Sequence, residues 1–462
     1  MGVPGAWREG EVAVVGLARS GRAVARLLAR EGVRVYASDA GADEGLQRAA
    51  ESLRAAGVDV QLGEHDLARI GRARAVITSP GVPPNAPPLV AATTAGVPIL
   101  GEVEVALGML PALRYVAITG TNGKTTTTSL TARLLQAVGR DAVAAGNIGT
   151  PLADLALRDR PPSWAALEIS SFQLHDTPSL APDVGVLTNL SANHLDRYAS
   201  VAEYYADKAL LFRNANEASI WVTNADDADV QALARDVRGR HLRFSLAGAA
   251  DAWYDRAHEQ LVVLGEPLLA RGELPLRGDH NVANALTAAL AVMAADPAHA
   301  TSAARAAIAA ALREARALEH RIEPVGEADG VEWINDSKST NVASTLVALR
   351  GMTRPTILLL GGRHKGEPYT ALADELRRTV KLVLAYGEAA ELVERDLRGI
   401  VPVERLGSSF DEVVSRARAV AQPGDVVLLS PACSSYDMFD NYEQRGATFK
   451  ALALPGGAGA GR

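Results

Sequence analysis

The chain has 462 residues, 48% hydrophobic and 22% charged, which at roughly 100 to 200 residues per domain predicts two to four ordinary globular cores and excludes a disordered polypeptide. Fifty-four Asp plus Glu against 47 Lys plus Arg leave a formal charge of −7, the wrong sign for tracking nucleic-acid phosphates by bulk charge, so no nucleic-acid partner is expected and any anion must be captured locally. The single cysteine, Cys433, excludes an internal disulfide framework or a thiolate cluster and fits a reducing compartment.

The N-terminus, MGVPGAWREGEVAVVG, carries acidic residues and lacks the series of basic stretch, apolar region and small-residue cleavage site that marks export. No apolar run approaches the ~18 to 20 residues that cross a bilayer. A cytoplasmic protein without a membrane span is expected. Short runs of Val, Ile and Leu recur at Val12 to Val15, Val33 to Tyr36, Val76 to Ile77, Val116 to Ile118, Ala165 to Leu167 and Val184 to Leu187. They resume at Ile357 to Leu360, Leu382 to Ala385 and Val426 to Leu429. Each ends in Gly, Asp, Asn or Ser, and stretches of helical period separate them, which predicts an α/β fold built on parallel sheets. Breaks in pattern near Pro111 and from Leu318 to Pro324 predict three α/β domains, 1–111, 112–319 and 320–462, the last ending in the low-complexity tail PGGAGAGR.

In chain order, the first chemical signal is VAVVGLARSGRAVARLL. Gly16 and Gly21 stand as in a dinucleotide fingerprint, and Asp39 closes the next strand about 20 residues on. Ala18 replaces the middle glycine, and its methyl group hinders close approach of a pyrophosphate, so the segment supports a nucleotide-sized ligand more than NAD; a plain strand-turn-helix is equally consistent with it. The sharpest signal is AITGTNGKTTTT. A β-rich run breaks into Gly120, Thr121, Asn122, Gly123, Lys124, Thr125 and Thr126 and then turns helical. Backbone N–H groups and a helix N-terminus would surround a phosphate there, with Lys124 reaching the β/γ-phosphates and Thr125 binding Mg²⁺. Ile118 stands where the common P-loop has its first glycine, so this is a variant loop.

Further along, Glu168 ends an apolar strand, where open parallel sheets place ligands, and a carboxylate beside a phosphate loop is a natural Mg²⁺ ligand. The next strand leads to TNLSANHLDRY, whose His194 and Asp196 belong at the same sheet edge as Glu168. In VAEYYADKALLF, Lys208 lies among Tyr204, Tyr205, Leu211 and Phe212 at helical spacing; apolar surroundings would lower its pKa and expose an amine that can take up CO₂, although an amphipathic lysine covering apolar surface also fits. The last third offers EHRIE, WINDSKSTN and LGGRHKG, with Arg321, Asp336, Lys338 and Lys365 able to hold ATP or a carboxylate. In SPACSSYDMFDNYEQRG, Cys433 has no positioned base, so apolar packing is the expected role.

Taken together, GTNGKTT, LEISSFQL, NLSANHLDRY, GDHNVANA, EHR, NDSKSTN and SPACSSYDMFDNYEQRG resemble the Mur ligase family of ATP-dependent amide-forming enzymes from Val12 to about Lys450. The last of these motifs, with GLARSG, resembles the branch that adds D-glutamate. The resemblance implies a Rossmann-like N-terminal domain, a central P-loop ATPase domain and a Rossmann-like C-terminal domain. It implies a monomer acting on UDP-MurNAc-L-Ala and D-glutamate with ATP and two Mg²⁺ sites. Arg19, Ser20, Asp39 and Gly81 would contact the UDP part, and Asn147 and Gln173 the same substrate farther along. Thr125 and Glu168 would hold one Mg²⁺, His194 and a carbamylated Lys208 the second, making Lys124, Glu168, His194 and Lys208 the catalytic set. Asn281, Asn284, Arg321 and Asp336 would bind ATP. His320, Lys338, Thr340, Lys365, Ser435 and Tyr442 would receive D-glutamate. His364, Tyr436 and Tyr442 depart from residues common in relatives and add polar groups to that pocket. A different Mur ligase, a folylpolyglutamate-type ligase, a nucleotide-binding switch or a flavin- or NAD-binding module are the alternatives.

Overall fold

The computed structural model describes residues 2–193 and 197–454, so His194, Asp196 and the Gly/Ala tail lie outside the described residues. Among the described residues, twenty strands form three sheets. The first contains β1 (Glu11–Val15), β2 (Arg34–Asp39), β3 (Asp59–Leu62), β4 (Ala75–Thr78) and β5 (Ile99–Gly101), ordered β3-β2-β1-β4-β5 and parallel throughout. The second contains β6 (Arg114–Thr119), β7 (Ala142–Gly146), β8 (Trp164–Glu168), β9 (Val184–Leu187), β10 (Ile220–Asn224), β11 (Arg240–Ser245), β12 (Ala252–Asp255), β13 (Gln260–Val263) and β14 (Glu266–Ala270). Its order is β14-β13-β12-β11-β10-β9-β6-β8-β7. The third contains β15 (Glu323–Ala328), β16 (Val331–Asn335), β17 (Thr356–Gly361), β18 (Val380–Tyr386), β19 (Val403–Arg405) and β20 (Val426–Leu429), ordered β15-β16-β20-β17-β18-β19.

Strands such as β6 and β17 are apolar along nearly their whole length because helices cover both faces of a parallel sheet. Among the described strands, antiparallel pairing occurs at sheet edges, in β12-β13-β14 and in β15-β16. In each sheet one central strand has neighbours reached by crossovers in opposite directions: β1 lies between β2 and β4, β6 between β8 and β9, and β20 between β16 and β17. A crevice opens at the carboxyl ends of such strands.

The chain divides into two compact units. One runs through Leu274 and includes Val282–Glu314; the other comprises Pro275–Asn281 and everything from Ala315 onward. Residue 111 falls between β5 and β6, inside the first unit. The first two sheets are tied by specific bonds: Gly101 N donates to Asp176 O at 2.7 Å, and the Arg30 guanidinium to Ala156 O at 2.7 Å. Glu102 opens the helix Glu102–Met109, and its buried Oε1 accepts the Ala153 N–H at 2.5 Å, at the start of the helix Leu152–Ala156.

Glu102 Oε2 is buried without a hydrogen-bond partner among the described residues. Burial pushes the carboxyl up to about 7, the Asp154 carboxylate adds to this, and the N–H groups of Ala153 and Leu152 oppose it. A folded-state pKa above the ordinary 4.5 means the folded protein holds this proton more tightly, so the stabilisation is complete below the ordinary value and is lost as pH rises through about 7. Glu102→Gln is expected to remove that loss. In urea unfolding at pH 5 and pH 8, the variant should gain up to ~3 kcal/mol on the parent between the two pH values; an equal difference at both would show that Glu102 does not titrate in this window.

Candidate active site

The loop after β6 is shaped by glycine. Gly120 has φ +139°, and a Cβ there would lie 2.0 Å from Thr188 Oγ1, so only glycine lets the loop lie against the end of β9. Asn189 clamps that loop. Its backbone O accepts Thr121 N at 2.8 Å, its Oδ1 accepts Asn122 N at 2.9 Å, and its Nδ2 donates to Asn122 O at 2.9 Å, while Thr188 Oγ1 donates to the same carbonyl at 2.7 Å. Gly123, at φ +81°, then turns the chain into the helix Lys124–Ala137, with Thr125 and Thr126 half-buried in its first turn. First-turn N–H groups, which have no acceptor within the helix, and the positive end of the helix dipole gather there. Lys124 Nζ folds back onto Gly120 O at 3.0 Å and Thr121 O at 2.7 Å, and Thr127 Oγ1 donates to Asn284 Oδ1 at 3.1 Å.

Beside this loop, Glu168 ends β8 and is buried. Its Oε1 accepts Asn147 Nδ2 at 2.9 Å, whereas Oε2 is buried with no hydrogen-bond partner among the described residues. A buried carboxylate oxygen with no donor is costly, and a cation supplies what is missing. With the Thr125 hydroxyl on the neighbouring helix turn, this oxygen fits Mg²⁺, which takes oxygen ligands and is usually bound by one or two carboxylates plus substrate phosphates. No group of three or more His, Cys, Asp or Glu that could hold a metal occurs among the described residues. Lys208 is 1% exposed on the helix Val201–Ala209, and its Nζ donates to Thr119 Oγ1 at 2.9 Å, whose hydroxyl in turn donates to Ile169 O at 2.7 Å. Burial drives the Lys208 pKa well below the ordinary lysine value, the Lys124 ammonium pushes the same way, and Glu168 and Asp207 oppose. The structure therefore brings Lys124, Glu168 and Lys208 within electrostatic reach of one another.

At the first sheet, Asp39 ends β2 and accepts Leu17 N at 2.6 Å and Gly41 N at 2.8 Å, so its carboxylate braces the fingerprint loop. Gly21 is required because a Cβ would lie 1.8 Å from Gly16 O. Arg19 and Ser20 form the first turn of the helix Arg19–Arg30, and Gly81 sits in the loop beyond β4 with open space around its Cα. Gln173 is buried, and its Oε1 accepts from Ser170 N and Ser170 Oγ at 3.0 Å in a capping box. Its side chain thus holds the turn after β8.

In the second unit, loops after β16, β17 and β20 meet at one sheet edge. Asp336 is buried and accepts Ile322 N at 3.1 Å, Ser339 Oγ at 2.5 Å and Ser430 Oγ at 2.8 Å. Burial raises its pKa to about 6, against those hydrogen bonds and the Arg321 guanidinium. Arg321 lies between two residues of positive φ, His320 (64°) and Ile322 (43°). His320 is buried and takes Asn335 Nδ2 at 2.9 Å, and Lys338 Nζ lies 3.7 Å from the centre of the Tyr442 ring. Lys365 Nζ donates to Thr340 Oγ1 at 3.3 Å. Ser435 is buried in the loop after β20, where Ser434 and Arg363 exchange backbone bonds of 2.9 and 3.1 Å. Cys433 is buried, held by Tyr369 OH at 2.8 Å, and burial pushes its thiol up to about 11, which suits packing rather than attack. Tyr369 OH also meets His364 Nδ1 at 3.0 Å. Asn281 lies in the first turn of the helix Asp279–Ala295, its Nδ2 on Arg277 O at 2.8 Å.

Three family descriptions match in series: "Mur ligase MurD-like, N-terminal domain" over residues 10–101, "Mur ligase middle domain" over 118–292 and "Mur ligase, glutamate ligase domain" over 320–433. A UDP-N-acetylmuramoylalanine–D-glutamate ligase of Anaeromyxobacter dehalogenans is 42% identical over 96% of this chain and 97% of its own length; one of Salinibacter ruber is 40% identical over 96% and 98%. The chain belongs to the Mur ligase family. Such enzymes form amide bonds with ATP. A solved MurF from Acinetobacter baumannii, 16% identical with a TM-score of 0.60 over 95% of this chain and 93% of that one, shares the fold.

Three residues of this Mur ligase that shape its site are not legible as candidates in the sequence. Asn189 and Thr188 clamp the phosphate loop from 66 or more positions away, and the only signal for them is their place just past a strand. Arg445 is fully buried. It donates to Ser337 Oγ at 2.9 Å, Ser337 O at 2.8 Å and Cys433 O at 3.2 Å, joining the loops after β16 and β20. The only signal for it is a charged residue in the first turn of the helix Tyr442–Ala453. Lysine cannot reproduce that fork. Arg445→Lys is expected to cost about 2–3 kcal/mol in urea unfolding; an unchanged midpoint would mean other bonds hold the two loops.

Proposed function

We propose that this Mur ligase joins D-glutamate to UDP-N-acetylmuramoyl-L-alanine through an acyl phosphate, releasing ADP and phosphate. The observation that carries the ATP chemistry is the convergence of a clamped phosphate loop, Lys124 and the half-satisfied Glu168 at one strand crevice. The substrate assignment is supported by the names of the near-full-length relatives. ATP transfers its γ-phosphoryl group to the terminal carboxylate of the UDP substrate. The D-glutamate amine attacks the acyl carbon, and phosphate leaves from the tetrahedral intermediate.

Backbone N–H groups of the helix's first turn, Lys124 to Thr126, hold the phosphates while those of Thr121 and Asn122 stay on Asn189, and Lys124 turns from its loop carbonyls to the γ-phosphoryl oxygens as charge develops there. Thr125 and Glu168 would hold one Mg²⁺, and His194 with Lys208 a second; bound Mg²⁺ would neutralise phosphate charge. The lowered pKa of Lys208 favours the neutral amine, which adds to CO₂ and gives up one proton to form a carbamate, placing an anionic oxygen donor where lysine alone has none. Asn147, its Nδ2 committed to Glu168, would offer its carbonyl oxygen to the UDP substrate, and Gln173 would contact the same substrate. Arg19, Ser20, Asp39 and Gly81 frame the UDP part, and Asn281, Asn284, Arg321 and Asp336 the ATP. Lys338 and Lys365 suit the two carboxylates of D-glutamate, with Thr340, Ser435, His320 and Tyr442 around them. A monomer working in the cytoplasm completes the reading.

The test is phosphate release from ATP with Mg²⁺, UDP-MurNAc-L-Ala and, separately, D-glutamate, L-glutamate, L-lysine or diaminopimelate. Stimulation is expected only with the UDP substrate and D-glutamate together. Turnover with another acceptor would overturn the amino-acid assignment, and acceptor-independent hydrolysis would overturn ligation. Lys124→Ala should lower acyl-phosphate formation by roughly 10²–10³-fold with UDP-substrate binding retained, as read by calorimetry. Lys208→Ala should lose most activity and regain part of it with added acetate; full activity without acetate would rule out the carbamate.

A further inference from the structure

Beyond β4, Ser79 to Val82 form the loop that carries Gly81, and two sets of bonds hold it. Ser79 Oγ donates to Gly16 O at 2.7 Å and Ser79 N to Val15 O at 3.0 Å, which fixes the loop against the fingerprint turn. Arg197, from the stretch between β9 and the helix Val201–Ala209, takes the carbonyls on either side of Gly81: Nη1 donates to Pro80 O at 3.1 Å and Nη2 to Val82 O at 2.7 Å. Its guanidinium lies over the Phe172 ring, 4.1 Å from the centre. Phe172 in turn stacks on Tyr198, with ring centres 5.4 Å apart and planes 8° from parallel. Tyr198 OH donates to Asp207 Oδ2 at 2.8 Å, and Asp207 Oδ1 meets His175 Nδ1 at 3.0 Å. Phe172 precedes Gln173, and Asp207 precedes Lys208. One guanidinium therefore connects the Gly81 loop of the first sheet to the turn after β8 and the Lys208 helix of the second.

A guanidinium is a planar, rigid fork, so a grip on two carbonyls two residues apart fixes the backbone between them. Attraction of the cation to the aromatic face keeps the fork in place. The packing of the two sheets has other supports: Leu27, Val103 and Ala106 share a buried cluster with Leu152 and Leu155, and Glu102 caps the helix Leu152–Ala156. Loss of Arg197 therefore leaves the sheets together and loosens the rim that carries Gly81. We propose that Arg197 is a positioning residue for the UDP-linked substrate, an inference that rests on the function proposed above. Without touching the substrate, it holds the rim on which the nucleotide part is bound.

The experiment is calorimetric titration of the full chain, its phosphate loop saturated with a non-hydrolysable ATP analogue, with UDP and separately with UDP-MurNAc-L-Ala. Arg197→Ala is expected to weaken both by the same factor, roughly 10- to 100-fold, while affinity for the ATP analogue stays at the parent value. In turnover, KM for the UDP substrate should rise and kcat stay near that of the parent. Arg197→Lys keeps a charge over Phe172 but cannot fork, so its affinities should fall between the two; a lysine variant that matched the parent would refute the two-bond grip. Unchanged affinity for UDP in Arg197→Ala would overturn the proposal. So would a loss confined to UDP-MurNAc-L-Ala, because Arg197 would then touch the sugar or peptide itself, and so would an equal loss for the ATP analogue, which would show general damage to the fold. Unmodified protein that binds the ATP analogue but neither UDP ligand would refute the function reading and this inference with it, a result distinct from parent and variant binding both ligands equally well.

Discussion

A parallel sheet covered by helices on both faces leaves polar chemistry one place to go, the carboxyl ends of its strands. Everything chemical in this protein follows from that restriction. β1, β6 and β20 each sit where the strand order reverses, and the loops after them carry the fingerprint at Gly16, the phosphate loop at Gly120 and the Ser430 to Tyr442 segment. The strands themselves contribute almost nothing but apolar packing. Their last residues are the exception: Thr119, Glu168 and Asp39 are the points at which a rigid sheet passes its geometry to the loops.

Those junctions are organised by buried polar groups whose partners are incomplete or unusual. Thr119 links Lys208 to Ile169 O through one hydroxyl. Glu168 uses one carboxylate oxygen on Asn147 and leaves the other without a donor. Such an arrangement destabilises the fold by itself, since a buried acceptor without a donor costs about 1–3 kcal/mol. It is what a site for a cation and a polyanion requires, because a pocket that satisfied itself would gain nothing from its ligand. Asp336 contrasts with it: three donors surround that carboxylate, so it fixes the loop after β16.

How much of this is legible in the sequence depends on the range of the interaction. The apolar strand runs, the phosphate loop and Glu168 at a strand end all follow from local pattern, because a strand, a turn and a helix start are decided within a dozen residues. Lys208 is harder. Helical spacing places it among aromatic and aliphatic residues, yet a surface lysine covering apolar area has the same pattern, and only β6 at its amine, 89 residues away in sequence, distinguishes the two. The same holds for Arg445, whose partners at Ser337 are 108 positions distant, and for Cys433, where apolar packing was the expectation and the hydroxyl of Tyr369 was not visible. The antiparallel strands β12 to β14 sit in the irregular middle stretch and carry no helical alternation that would reveal them.

The first two sheets behave as one unit for a reason that also bears on the site. One apolar core runs through both, with Leu27, Val103 and Ala106 in the same buried cluster as Leu152 and Leu155, and polar ties are added to it, four of them a backbone bond from Gly101 to Asp176, the Glu102 cap on the helix Leu152–Ala156, and the Arg26 and Arg30 tethers. Three of these four fall on the segment 153–156, which begins a few residues after Asn147 and Gly149. Asn147 in turn is held by Glu168 through both its backbone N–H and its side chain. A rigid path therefore runs from the arginine helix of the first sheet to the carboxylate beside the phosphate loop. A substrate that spans both sheets meets two rims whose separation is set by short hydrogen bonds rather than by loop flexibility, which is the geometric condition for holding a carboxylate in line with a transferring phosphoryl group.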